Sequence, residues 1–106
     1  MDSILITGSN GFLGSHLIDW FIDKEFTIYG LDRPSTSFRN LIPYTNTREY
    51  DKKRKKIFGE KILIKSTKEN LNFLECNLKN SFLLEKIIIN LKPKYIFHFG
   101  AQPYIV

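Results

Sequence analysis

The segment from Ser3 to Gly14, Ser-Ile-Leu-Ile-Thr-Gly-Ser-Asn-Gly-Phe-Leu-Gly, constrains the fold more than any other part of the chain. An apolar run from Ile4 leads through Thr7 into a turn with glycine at positions 8, 11 and 14. Such a run marks a strand buried on both faces of a parallel sheet. From Phe12 the apolar period lengthens. Leu13, Leu17, Trp20 and Phe21 fall on one helical stripe, with Ile18 beside it, which predicts a helix from about Gly11 to Lys24. A buried strand that feeds a helix through a tight turn commits the chain to a layered α/β arrangement, because parallel strands need such crossovers.

The remainder keeps the alternation. Thr27 to Leu31 reads as a second strand ending at Asp32. Pro34 then breaks regular structure, since its ring fixes φ and disfavours a helical residue before it. Asn72 to Cys76 reads as a third core strand. Leu83, Leu84, Ile87, Ile88 and Leu91 make the apolar face of a helix that Ser81 caps or opens and Pro93 ends. Tyr95 to Phe99 is a fourth strand, followed by Gly100-Ala101-Gln102. This order predicts an α/β fold: the N-terminal part of a Rossmann-type doubly wound sheet, with about four parallel strands, right-handed crossovers and helices on both faces. Residues 33–70 form a basic insertion with a weaker pattern. A solvated helix over Glu49–Phe58 is expected there. A strand at Ile62–Ile64 is also expected, paired in a hairpin with Ile57-Phe58 around Gly59-Glu60.

The glycine turn has a chemical reading. Gly8 permits a tight exit from the strand. Gly11 omits a Cβ where a cofactor backbone would approach, and Gly14 lets the helix pack closely. Amide N–H groups opening the helix, together with its dipole, then face an anion. Ser9 and Asn10 are candidates for side-chain hydrogen bonds to phosphate oxygens. A glycine triplet alone is a weak signal. Here a strand precedes it, a helix follows it, and Asp32 ends the next strand 24 residues after Gly8. A carboxylate at that offset accepts from the hydroxyls of an adenosine ribose. These features predict a dinucleotide site. Asp32 favours NAD, because a carboxylate repels a 2′-phosphate. Arg33 beside it is able to hold that phosphate, so NADP stays open.

Charge sets one stretch apart. The formal net charge is +5, and residues 48–68 alone hold nine Lys/Arg against three Asp/Glu. A uniformly basic nucleic-acid binder would look different, and aromatics do not interleave with Lys52–Lys56 in a stacking pattern. A solvated insertion is therefore preferred to a polyanion-binding element, whose signature would be steep salt dependence. No apolar run approaches the roughly 20 residues of a membrane span, and the N-terminus lacks a signal-peptide pattern. Cys76 is the single cysteine, which excludes an internal disulfide, and a cytoplasmic setting is expected. No Cys/His cluster has metal-ligand spacing. Cys76, His16 and His98 read as packed or hydrogen-bonded residues, and Trp20 and Phe21 as core candidates.

The spacing Thr-Gly-x-x-Gly-x-x-Gly from Thr7, with Ser15-His16-Leu17 after it, resembles the extended short-chain dehydrogenase/reductase family. Within it, the sequence is most similar to the nucleotide-sugar epimerases and 4,6-dehydratases, over nearly the whole chain apart from the insertion. The resemblance implies a cofactor turn built on Gly8, Gly11 and Gly14, with Ser9, Asn10, Phe12 and Leu13 in the same segment, and Asp32 with Arg33 at the ribose. Asn77-Leu78 falls where the family usually has Asp-Leu or Asp-Val beside the adenine. The Asn is a departure whose amide oxygen still accepts from the adenine amino group. His98 to Pro103 resembles the family's His-Leu-Ala-Ala-Gln segment. That implies Phe99, Gly100 and Ala101 beside the ribose and pyrophosphate, with Gln102 and Tyr104 on the substrate side. Gln102-Pro103 looks more like dehydratases acting on CDP- or GDP-hexoses than like the commonest epimerases.

Family catalysis uses a Tyr, a Lys four residues later and a Ser or Thr. Four residues after Tyr29, Tyr44, Tyr50 and Tyr95 stand Arg33, Arg48, Arg54 and Phe99, so no Tyr-x-x-x-Lys occurs. The resemblance thus implies that residues 1–106 are the N-terminal part of an NAD(P)-binding domain, lacking the catalytic pair and the substrate domain and inactive alone. The longer enzyme would act on a nucleotide sugar through a 4-keto intermediate and form a homo-oligomer. A non-catalytic dinucleotide-binding module is the alternative.

Overall fold

The computed structural model describes residues 1–53 and 62–100, and in it five strands form one sheet. They are β1 (Asp2–Thr7), β2 (Phe26–Asp32), β3 (Leu63–Ile64), β4 (Leu71–Glu75) and β5 (Tyr95–His98). Two helices, α1 (Phe12–Phe21) and α2 (Ser81–Leu91), connect β1 to β2 and β4 to β5. The strand order is β3-β4-β2-β1-β5. The neighbours are parallel except β3, which runs antiparallel to β4. From β1 the chain moves outward to β2 and β4, and then α2 carries it back to β5 on the other side. Same-handed crossovers in opposite directions place their helices on opposite faces of the sheet.

The core follows from that arrangement. Ile4, Leu5 and Ile6 are fully buried, as their continuous apolar run requires. Alternate residues of β1 serve opposite faces. Ile4 and Ile6 cluster with Ile18 and Ile22 on the α1 side, and Leu5 clusters with Leu83 and Ile87 on the α2 side.

Two expectations need correction, the apolar face of α1 and the course of the insertion. The buried face of α1 is Gly14, Ser15 and Ile18, continued by Ile22, while Leu13 and Trp20 are 61% and 63% exposed. The cause is the close approach of Gly14 to the Gly8 carbonyl, which rotates the sheet-facing side by one residue, roughly 100° of helix. Trp20 instead lies under Lys24 Nζ, 3.9 Å from its ring centroid, and Phe21 is half-buried against Phe26 and Phe97. At the start of α2, Ser81 opens the helix, one of the two roles expected of it, and Asn80 before it is the cap. The Asn80 Oδ1 accepts from Leu83 N at 3.1 Å. Lys92 closes this helix in the left-handed region ahead of Pro93.

The insertion differs most. Residues 49–53 are not helical: Tyr50 bridges Ile64 in antiparallel fashion. The physical reason is Glu75, a buried carboxylate at the end of β4. It accepts from Arg48 Nε at 2.9 Å, from the Tyr50 hydroxyl, and from Ser35 N at 3.3 Å. Those bonds draw the chain across the sheet edge in extended form. The rest of the expected helix, and the hairpin with Ile57-Phe58, lie outside the described residues. Upstream, a short 3₁₀ turn at Arg39–Leu41 sits between Phe38 and Tyr44, which join Leu41 in the core on the α1 side. Tyr44 Oη donates to Asp19 Oδ1 at 2.6 Å, and burial together with that carboxylate pushes the phenol up to about 12. No described helix is long and apolar enough to cross a membrane.

Candidate nucleotide-binding site

The turn after β1 is fixed by backbone bonds before any side chain is considered. Gly8 N and Ser9 N donate to the Leu31 carbonyl at 2.8 and 3.2 Å, which latches the turn to the end of β2. Gly8 holds φ +71, in the left-handed region that favours glycine. A Cβ there would stand 2.8 Å from Gly100 N and from the Phe99 carbonyl carbon, so the turn can pass beneath the end of β5 only without one. Gly11 N donates to the Gly8 carbonyl at 3.1 Å. Ser15 N donates to the Gly11 carbonyl at 3.0 Å and starts the helix. The amides of Phe12, Leu13 and Gly14 are then the helix-opening donors without an intrahelical partner. Among the described residues no side chain caps them.

Asp32 ends β2 beside this turn. Its Oδ2 accepts from Asn10 N at 3.0 Å, and its Oδ1 accepts from Arg33 N at 2.8 Å and the Thr36 hydroxyl at 3.4 Å. The carboxylate is thereby held at the rim of a cleft of about 600 Å³. At the far wall, Thr7 organises the end of β5. Its hydroxyl accepts from Gly100 N at 3.2 Å and lies 2.6 Å from His98 Nδ1, and its carbonyl accepts from Phe99 N at 3.0 Å. His98 and His16 are thus locally bonded, His16 through Nδ1 to the Phe12 carbonyl at 2.8 Å.

The cleft gathers much of the expected site. Gly8, Asn10, Gly11, Phe12, Asp32, Arg33, Phe99 and Gly100 all line it. Ser9 lies beneath: it is fully buried against Gly30, and its hydroxyl donates to Asn10 Oδ1 at 3.0 Å. Gly14 is buried against the turn, while Leu13 points outward from the first turn of α1. Asn77 is exposed, its Oδ1 accepting from Lys79 N, and Leu78 packs under Gly100. Ala101, Gln102 and Tyr104 lie outside the described residues. Thr36, Ser37, Arg39 and Asn40 also line the cleft and were not expected from the sequence. Their signal was a polar run directly after the C-terminal end of a strand, where α/β sheets place ligand crevices.

Gly11 decides whether a diphosphate fits here. Its φ of −77° and ψ of 178° are open to any residue, and a Cβ would meet only the Gly8 carbonyl, at an ordinary 3.4 Å. Among the described residues, nothing fills the space that this glycine leaves. Free helix-opening amides lie beyond it and a carboxylate faces it, so the cleft has the donors for a diphosphate and the acceptor for a ribose diol. Fold and cleft together are those of one half of a doubly wound α/β domain, with the crevice at the strand ends where such sheets place ligands.

The comparisons agree with that class. Residues 5–106 match the sequence model of the family described as GDP-mannose 4,6 dehydratase, and the chain belongs to this family. Human GDP-mannose 4,6 dehydratase is 31% identical over 101 residues, covering 95% of this chain, and the Cricetulus griseus enzyme gives the same figures. The chain spans 24% of the length of these curated relatives. Among solved structures, dTDP-glucose 4,6-dehydratase from Bacillus anthracis, in complex with NAD, superposes with a TM-score of 0.65. Its identity is 21%, and the match covers 96% of this chain and 27% of that one. UDP-glucose 4-epimerase from Thermotoga maritima, with UDP-glucose, gives a TM-score of 0.62 at 26% identity, covering 94% and 24%.

Proposed function

We propose that this chain is the cofactor-placing part of a nucleotide-sugar-modifying enzyme, a 4,6-dehydratase or epimerase that works through a 4-keto sugar, and that its cofactor is NAD. The observation that carries this reading is the empty space over Gly11, framed by the Phe12 and Leu13 amides on one side and Asp32 on the other. In this assignment the Phe12 and Leu13 amides hold the diphosphate, Asp32 accepts from the adenosine ribose, and Gly100 keeps the far wall low enough for the dinucleotide to lie across the strand ends. Asn77 and Leu78 meet the adenine, and Ala101, Gln102 and Tyr104 follow from the resemblance, the last two on the sugar side. A bound nicotinamide supplies hydride acceptance and return. The residues in hand supply binding and orientation.

The family membership and the NAD-bound relative support the cofactor, and the GDP-mannose enzymes support a GDP-hexose as substrate. Catalysis belongs to a Tyr-x-x-x-Lys pair that these residues lack, so the chain by itself is expected to be inactive. We assign the protein to the cytoplasm and to a homo-oligomer in its longer form. One observation favours a second cofactor: Arg33 and Arg39 both line the cleft beside Asp32, where a 2′-phosphate would lie. Calorimetric titration with NAD and NADP tests both. Tight NAD and weak NADP binding is expected, tighter binding of NADP than of NAD would move the assignment to NADP, and binding of neither would overturn it.

A further inference from the structure

The segment after β2 reaches back over the glycine turn. Asn40, in the 3₁₀ turn, donates from Nδ2 to the Asn10 carbonyl at 3.0 Å. That carbonyl shares a peptide plane with Gly11 N, which donates to the Gly8 carbonyl at 3.1 Å. A peptide unit is planar, so bonds at both of its ends fix its tilt. The tilt is passed through Gly11 to the next unit, whose N–H belongs to Phe12, the first helix-opening donor. The preceding unit is fixed as well, because Asn10 N donates to Asp32 Oδ2.

Asn40 stands on a firm base. Leu41 is fully buried, Phe38 packs edge-on against Phe73 with ring centroids 5.2 Å apart, and Tyr44 bonds Asp19. Loss of the Asn40 amide would therefore leave its own segment in place and free only the carbonyl it holds.

From this geometry we infer that Asn40 is a positioning residue for the diphosphate: it acts through the Asn10 carbonyl to aim the Phe12 and Leu13 amides into the cleft. The inference rests on the cofactor assignment above and adds a residue from the insertion to that site. It predicts a loss confined to ligands that carry a diphosphate. Asn40→Ala and Asn40→Asp should both weaken NAD and ADP by about three- to tenfold, the worth of one hydrogen bond, and leave adenosine unchanged. Tyr44→Phe, which removes a different anchor of the same segment, should lower thermal stability and leave the ratio of ADP to adenosine affinity unchanged.

The protein and these variants are titrated calorimetrically with NAD, ADP and adenosine. Amide NMR shifts of the ligand-free proteins are recorded alongside. The Phe12 and Leu13 amides should move in Asn40→Ala before any ligand is added, which a side chain acting only by touching the ligand would not cause. Equal weakening of all three ligands, or unchanged ADP affinity, or unmoved Phe12 and Leu13 amides would each overturn the inference. Failure of the unsubstituted protein to bind NAD or ADP would overturn the cofactor assignment itself, and the two failures are thereby distinguished.

Discussion

Two glycines of the turn, three residues apart, should respond to alanine in opposite ways. At Gly11 the backbone is already in the extended region, and a methyl group meets only the Gly8 carbonyl at 3.4 Å. Two folding effects nearly offset there. Restricting the unfolded chain stabilises by about 0.4–1 kcal/mol, and placing alanine at a helix N-cap costs a similar amount. Stability of Gly11→Ala should stay within about 0.5–1 kcal/mol of the unsubstituted protein. Binding should not. The methyl group would occupy cleft space that the proposed diphosphate needs, and forcing one extra carbon into a packed contact costs about 1–3 kcal/mol. At about 1.4 kcal/mol per factor of ten, NAD affinity should fall by at least about fivefold and by as much as about a hundredfold. Gly14→Ala is the reverse case. Its Cβ would stand 2.3 Å from the Gly8 carbonyl oxygen and 2.8 Å from Ser9 Cα, both backbone atoms with no rotamer to yield. The helix must back away from the turn, at a cost of about 3 kcal/mol, which in a chain of this size lowers Tm by about 10–20 °C. Thermal denaturation followed by circular dichroism and NAD calorimetry separate the two. If Gly11→Ala binds NAD within about twofold of the unsubstituted protein, with an unchanged Tm, the argument that this glycine exists for the ligand is wrong.

Other perturbations test the supporting network. The fold keeps Tyr44 neutral by burial and by its bond to Asp19, raising the phenol from 10.0 to about 12. That contribution is complete below pH 10, where the unfolded phenol is also protonated, and is lost as pH rises through about 12. Urea unfolding between pH 10 and 12 should therefore show a decline that Tyr44→Phe lacks, and matching declines would contradict it. Burial pushes the Cys76 thiol above its usual value. Native protein at pH 8 should thus react slowly with a disulfide reagent and reach the free-thiol rate only in denaturant, whereas immediate labelling would show the strand end to be open. Glu75→Gln keeps the shape but removes the charge facing Arg48. With the Arg48 side chain 30% exposed, solvent screens part of the pair, so a loss of about 1–2 kcal/mol is expected from the urea midpoint. A loss under about 0.3 kcal/mol would show that the extended course of residues 48–50 is held by something else.

What could be read from the sequence was what is encoded locally. The strand run, the glycine spacing and the strand-terminal Asp32 each depend on near neighbours, and all three meet at one cleft. The face of α1 is not legible in the sequence because two candidate stripes differ by one residue, and a backbone contact chooses between them: Gly14 against Gly8, with no side-chain signature. Residues 33–50 resisted reading for a different reason. Their anchors are pairs distant in sequence: Asn40 with Asn10, Tyr44 with Asp19, Tyr50 with Glu75. None leaves a period of 2 or 3.6 in the chain, so composition and periodicity could describe this stretch only as basic and polar. Part of that basic character proves structural, since Arg48 pairs with Glu75 and Lys65 with Glu49.

The site and the fold share atoms to different degrees along the turn. At Gly8 they are inseparable. Its amide joins β1 to β2 through the Leu31 carbonyl, and its missing Cβ admits the Phe99–Gly100 backbone that Thr7 holds in place. Any side chain there would push apart the ends of three strands, and the cleft is the space between those ends. At Asn10 the same turn is held from two sides, by the Asp32 carboxylate on its amide and by Asn40 on its carbonyl. The group that would meet the ribose thus also braces the loop that would meet the diphosphate. At Gly11 the backbone still serves the fold, its amide on the Gly8 carbonyl and its carbonyl under Ser15 N, but among the described residues only the Gly8 carbonyl comes near where a Cβ would stand. The passage from Gly8 to Gly11 therefore runs from positions constrained by packing to one where the proposed diphosphate would lie, which is why substitutions along this turn can read out folding and binding separately.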